Sequence, residues 1–87
     1  MHEASLVSDL IRRIDAVRAQ EHAARVAGVT VWLGAFSNFS PEHFKDHFKA
    51  AAAGGPLAQA ELTVWSSEDA ADPRASDVLL ISVDVAD

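Results

Sequence analysis

Residues 26–65 read VAGVTVWLGAFSNFSPEHFKDHFKAAAAGGPLAQAELTVW, and this stretch decides the fold. In its first part Val29, Val31 and Leu33 alternate with Thr30 and Trp32, the period-two pattern of a half-buried strand, and Gly34 ends the run. Ser40-Pro41-Glu42 is a helix start with a mechanism. The serine hydroxyl accepts an orphan backbone N–H, proline suits the first helical position, and glutamate complements the helix dipole. This helix is predicted to run to about Ala53 with Phe44, Phe48, Ala51 and Ala52 on one side, and Gly54-Gly55-Pro56 supplies a left-handed cap and a stop. Leu62 and Val64 then alternate with Glu61, Thr63 and Trp65 as a second strand. Strand, helix and strand in this order make a right-handed crossover with the two strands parallel.

Upstream, Leu6, Val7, Leu10, Ile11, Ile14 and Val17 recur every three or four residues, which predicts a helix from Glu3 to about Arg25 with one buried face. Its outward face carries Asp9, Arg12, Arg13, Asp15, Arg18 and Glu21, and Asp9 and Arg13 have the i, i+4 spacing of an ion pair. Downstream, SSEDAADPRASD (66–77) has no apolar periodicity and reads as a connector. VLLISVDV (78–85) reads as a third strand with Leu79, Ile81, Val83 and Val85 on one face. The expected fold is therefore α+β in the order α-β-α-β-β. It is a two-layer domain with both helices on one face of a three-stranded mixed sheet and the third strand antiparallel to a neighbour. Eighty-seven residues are expected to make one such domain.

The chain is 49% hydrophobic and 23% charged, enough apolar material to fold and unlike a disordered segment. It has no cysteine, which excludes a disulfide framework, a thiolate zinc site, an iron–sulfur cluster and a cysteine nucleophile. The net charge of −6 is unevenly spread. Acids and bases balance over residues 1–60, whereas 61–87 hold Glu61, Glu68, Asp69, Asp72, Asp77, Asp84 and Asp87 against Arg74 alone. With no basic stripe and an acidic end, nucleic acid is not an expected partner. No run approaches the roughly 18 apolar residues of a membrane span, and the opening residues carry no secretion signal, so no membrane partner and a cytoplasmic address are expected.

Sites of covalent chemistry are missing: there is no GxSxG elbow, no phosphate-binding P-loop, no HExxH and no tyrosine. The chain is not expected to be an enzyme. Among the histidines, His43 and His47 stand i, i+4 beside Asp46, a spacing that can bring two imidazoles to one metal. They also flank the buried Phe44 and Phe48, and the reading as polar boundary residues is preferred. His22 falls near the end of the first helix, where it complements the dipole at most. His2 differs by position. The amine of Met1, the backbone nitrogen and imidazole of His2 and the backbone nitrogen of Glu3 are four nitrogens in one short stretch. The amine and the amides must lose protons to bind, which favours Ni²⁺ or Cu²⁺ in a square-planar field.

The opening MHEASL, the strand end LGAFS (33–37), the Ser40-Pro41-Glu42 helix start, the phrase GGPLAQAEL (54–62) and the closing ISVDV (81–85) occur in this order along the chain. Together they resemble the HypA family of nickel-insertion accessory proteins for nickel–iron hydrogenase, and for urease in some bacteria, over nearly the whole chain. The resemblance implies a nickel site made of the Met1 amine, His2 and the Glu3 backbone. It also implies delivery of Ni²⁺ to a nickel-enzyme precursor together with a HypB-like GTPase. In the family a zinc module with two CxxC pairs stands between the second and third strands; here 66–77 takes that place and no zinc is expected. The flanking strands can still close through so short a connector at modest entropy.

Strand alternation suggests a second surface. If Val31, Leu33, Leu62, Val64 and the odd residues 79–85 face the helices, then Thr30, Trp32, Thr63, Trp65 and Leu80 lie on the opposite face. Two tryptophans there would mark an interface for a homodimer or a partner. The alternative to a nickel carrier is thus a metal-free interaction module working through Trp32 and Trp65.

Overall fold

The computed structural model describes residues 3–87. Helix Glu3–Gln20 (α1) is followed by strand Arg25–Leu33 (β1), helix Pro41–Ala52 (α2), strand Glu61–Ser66 (β2) and strand Val78–Ala86 (β3). The sheet order is β2-β1-β3, with β1 parallel to β2 and antiparallel to β3. The α+β architecture and the α-β-α-β-β order agree with the sequence reading, and β1 is the central strand. Among the described residues no helix is long and apolar enough to cross a membrane.

Both helices cover one face of the sheet. Val7, Leu10 and Ile14 of α1, Phe44, Phe48 and Ala52 of α2 and Val26, Val29, Val31 and Leu33 of β1 form one buried cluster, joined by Phe39 and Leu57. Burying each of the larger side chains contributes about 1.5–3 kcal/mol against chain entropy. The start of α2 is built as its sequence prescribes: Ser40 is extended (φ −82°, ψ 155°), its hydroxyl accepts from the His43 N–H at 3.2 Å, and Pro41 follows. Gly54, at φ +78°, provides the left-handed turn after the helix.

Three expectations need correction. The first helix ends at Gln20, not near Arg25, because His22 takes a left-handed conformation (φ 55°) and Ala23 N–H reaches back to the Arg18 carbonyl at 3.2 Å. Asp9 pairs with Arg12 rather than Arg13, an exposed contact worth under about 1 kcal/mol. The largest change is in β3. Thr30 pairs with Ser82 but Val31 pairs with Leu80, so Ile81 is a bulged extra residue and the inside–outside phase flips there. Leu80 and Val78 consequently pack on the core with Val83, while Leu79 pairs with Trp32 on the outer face and Ile81 is 47% exposed. Leu80 does not belong to the outer face.

Candidate metal centre

The proposed nickel ligands open the chain. Met1 and His2 lie outside the described residues, and Glu3 enters as the first residue of α1. That position has a chemical meaning. The first N–H groups of a helix have no acceptor within it, so a metal that displaces the proton of the Glu3 amide breaks no helical hydrogen bond. Glu3 is thus the start of a rigid element.

The second histidine pair is on α2. The rings of His43 and His47 have centroids 4.7 Å apart with their planes at 36°. His43 is exposed and His47 half-buried. The edge of Phe39 meets His43 at 6.4 Å and buried Phe44 at 5.4 Å, which ties the exposed imidazole to the core. The two histidines do lie at the border of the buried Phe44–Phe48 stripe, as the spacing suggested, and their rings lie close together on one face of α2. Among the described residues no group of three or more His, Cys, Asp or Glu side chains is placed to hold a metal. His22 sits in the turn after α1, away from the α2 pair in sequence and conformation.

The sheet face away from the helices is ordered in rows by its register. Trp65, Trp32 and Leu79 align across the three strands, then Thr63, Thr30 and Ser82, then Glu61, Gly28 and Asp84. An apolar row, a hydroxyl row and an acidic row thus follow one another, each about 7 Å from the next. Trp65 is 53% exposed and Trp32 and Thr30 are half-buried. A shallow depression of about 360 Å³ lies over Gly28, lined by Thr30, Thr63, Glu61 and Asp84 among others. The sequence reading found the tryptophans and threonines but not the acidic row. A glycine inside a strand was the available signal, since it often marks a bulge, and β1 is indeed bulged at Ala27.

The connector 67–77 is folded back on itself and on the end of β1. Asp69 N–H donates to the Ser67 hydroxyl (3.1 Å), Ala71 N–H to the Asp69 carboxylate (3.0 Å) and Arg74 N–H to the Asp72 carboxylate (2.8 Å). Gly34 N–H then reaches the Asp77 carbonyl at 2.9 Å, Phe36 N–H reaches that of Ala75 at 2.6 Å, and Ala75 is buried. Local side-chain and backbone bonds hold this segment. With no cysteine in the chain, thiolates cannot hold zinc here.

Comparison with known proteins places this arrangement. Residues 1–73 match the family model described as "Hydrogenase/urease nickel incorporation, metallochaperone, hypA", a description of a carrier rather than of a reaction. The matched span ends before β3. The hydrogenase maturation factor HypA of Rhodopseudomonas palustris (strain BisB5) is 38% identical over 71 residues, which are 82% of this chain and 63% of that protein. The hydrogenase maturation factor HypA of Deinococcus radiodurans is 41% identical over 64 residues, 74% of this chain and 53% of that protein. The chain therefore spans under two thirds of these relatives. In fold it is similar, β3 included, to the solution structure of the Ni metallochaperone HypA from Helicobacter pylori, with a TM-score of 0.81 and 18% identity over 99% of this chain and 98% of that one. On the extent of the family match, this chain belongs to the HypA family.

Proposed function

We propose that this chain is a nickel carrier that binds Ni²⁺ through the Met1 amine, the His2 backbone nitrogen and imidazole and the Glu3 backbone nitrogen, and delivers it to the precursor of a nickel enzyme, hydrogenase or urease. A HypB-like GTPase is the partner in delivery. The observation that carries this reading is that the family match starts at residue 1, so the opening Met-His-Glu falls inside it. The helix start at Glu3 supports it, because the chelate then ends where the chain becomes rigid. A set of deprotonated amides suits a strongly bound, square-planar ion. Neither the fold nor the connector calls for zinc, and residues 1–87 serve as a single nickel-binding domain.

The test is a Ni²⁺ titration of untagged protein that starts at Met1, followed by the square-planar absorbance, beside His2→Ala and a variant with three residues added before Met1, which moves the free amine out of reach of His2. The native protein is expected to take up one tight equivalent with that band, and both variants to lose it. Equal binding by all three would remove the N-terminal site.

One observation favours a second working surface: the uncovered row Trp65–Trp32–Leu79 lies above an acidic row. Two copies stacked through this face would set acids against acids or against tryptophans, both costly. The face better suits a protein partner that presents an apolar strip beside lysines or arginines, which fits docking to the GTPase or the enzyme precursor more than homodimerisation. Trp65→Glu is expected to weaken binding to the GTPase about tenfold or more, as for an interface tryptophan, and to leave the nickel equivalent intact. An unchanged affinity in calorimetry with both partners would take this face out of the function.

A further inference from the structure

We propose that His43 and His47 form a second Ni²⁺ site on α2, a weaker station beside the start of α1; the choice of nickel as its metal rests on the carrier reading above. Geometry carries it. A metal–nitrogen bond is about 2.1 Å and the centre of an imidazole lies about 1.1 Å beyond its nitrogen, so two cis ligands at about 90–109° have centroids about 4.5–5.2 Å apart. The observed separation is 4.7 Å. The spacing i, i+4 puts both rings on one helix face, and the backbone beneath them is fixed by the Ser40 cap on the His43 N–H. Phe39, itself buried, backs His43 edge-on. Two imidazoles leave the other positions of the ion to water or to a second set of donors, which makes the site exchangeable.

Its location follows from topology. α1 returns to β1 through the tight turn 21–24, and α2 crosses back from the end of β1 to the start of the parallel β2, so both helices run opposite to β1 and begin at the same end of the sheet. Ile11, Arg12 and Asp15 of α1 share a surface depression with Ala51 and Ala52 of α2 and with Leu57, which sets the level at which the helices lie side by side. Counting back along each helix at about 1.5 Å per residue brings Glu3 level with the first turn of α2, where His43 stands. Packed helices have axes about 8–10 Å apart. The α2 pair is therefore close enough to the start of α1 to receive an ion that leaves the opening residues, or to offer one to them.

The experiment uses the variant with three residues added before Met1, which moves the free amine too far from His2 to close the N-terminal chelate. It is expected to retain a weaker Ni²⁺ equivalent with the spectrum of a water-rich six-coordinate ion and no square-planar band. Paramagnetic broadening should strike the ring signals of His43 and His47 before those of His22. His47→Ala in that background should remove the equivalent, and so should His47→Ala with Lys45→His, which restores the number of histidines at a spacing that splits them between helix faces. Thermal unfolding of each variant shows that the fold is kept. Retention of the equivalent by either His47 variant, or no residual binding in the extended protein, would overturn the second site. Failure of the N-terminal reading looks different, because the native and extended proteins would then share one spectrum.

Discussion

Phe44→Ala is expected to lower the free energy of unfolding by about 3–5 kcal/mol, the range for removing a fully buried aromatic ring. Phe44 has no exposed surface, packs edge-on against Phe39 and lies 6.2 Å from Phe48. It stands where α2 meets the sheet, and the neighbouring side chains cannot close the space without dragging the helix inward. A domain of this size is stable by roughly 4–13 kcal/mol, so the variant should melt tens of degrees lower or be partly unfolded at 25 °C. Urea titration followed by circular dichroism measures the loss. Nickel separates two kinds of site in the same variant. A chelate of consecutive backbone nitrogens survives unfolding, while a pair of imidazoles one helical turn apart disappears with the helix. A loss below 1 kcal/mol would contradict the core assigned to α2.

Gly34→Ala is expected to cost about 2–3 kcal/mol through overpacking. A Cβ at Gly34 would come within 2.6 Å of the Ala75 carbonyl carbon and 2.7 Å of the Arg74 oxygen. Those are backbone atoms in the connector, and no side-chain rotation relieves them. The connector must withdraw, which breaks the bonds from Gly34 N–H to Asp77 and from Phe36 N–H to Ala75. Amide hydrogen exchange should therefore rise at 34–36 and 72–78 before the helices respond. Gly28→Ala serves as the comparison, because its nearest neighbour would be the exposed Asp84 carboxylate at 3.2 Å, a side-chain end that can rotate away. It should cost much less, and equal losses at the two glycines would refute the close approach of connector and strand.

The β1-α2-β2 unit could be read from residues because each boundary has a local chemical cause: Gly34, the Ser40-Pro41-Glu42 start, and Gly54 at positive φ. The end of α1 could not, since the left-handed residue is His22, with none of the usual glycine or asparagine signal. The phase of β3 was also hidden. Val78, Leu79, Leu80 and Ile81 are all apolar, so alternation fits either face until the pairing with β1 reveals the bulge at Ile81. At the candidate site on α2, the His43–His47 spacing was visible, but the 4.7 Å approach of their rings required coordinates. The acidic row beside Gly28 joins residues far apart in the chain, and only the register unites them.

The register at Leu33 has a further consequence. Ser66, the last residue of β2, and Val78, the first of β3, both pair with Leu33 from opposite sides. The two ends of the connector are thus held about 10 Å apart, two strand spacings, by the central strand itself. The sheet forms a socket whose width does not depend on what fills it. Any folded unit whose termini lie close together could be grafted between these positions, and a compact strap of a dozen residues can stand there just as well. Length can therefore change at this point of the chain by a whole module while the helix starts at the same end of the sheet keep their places.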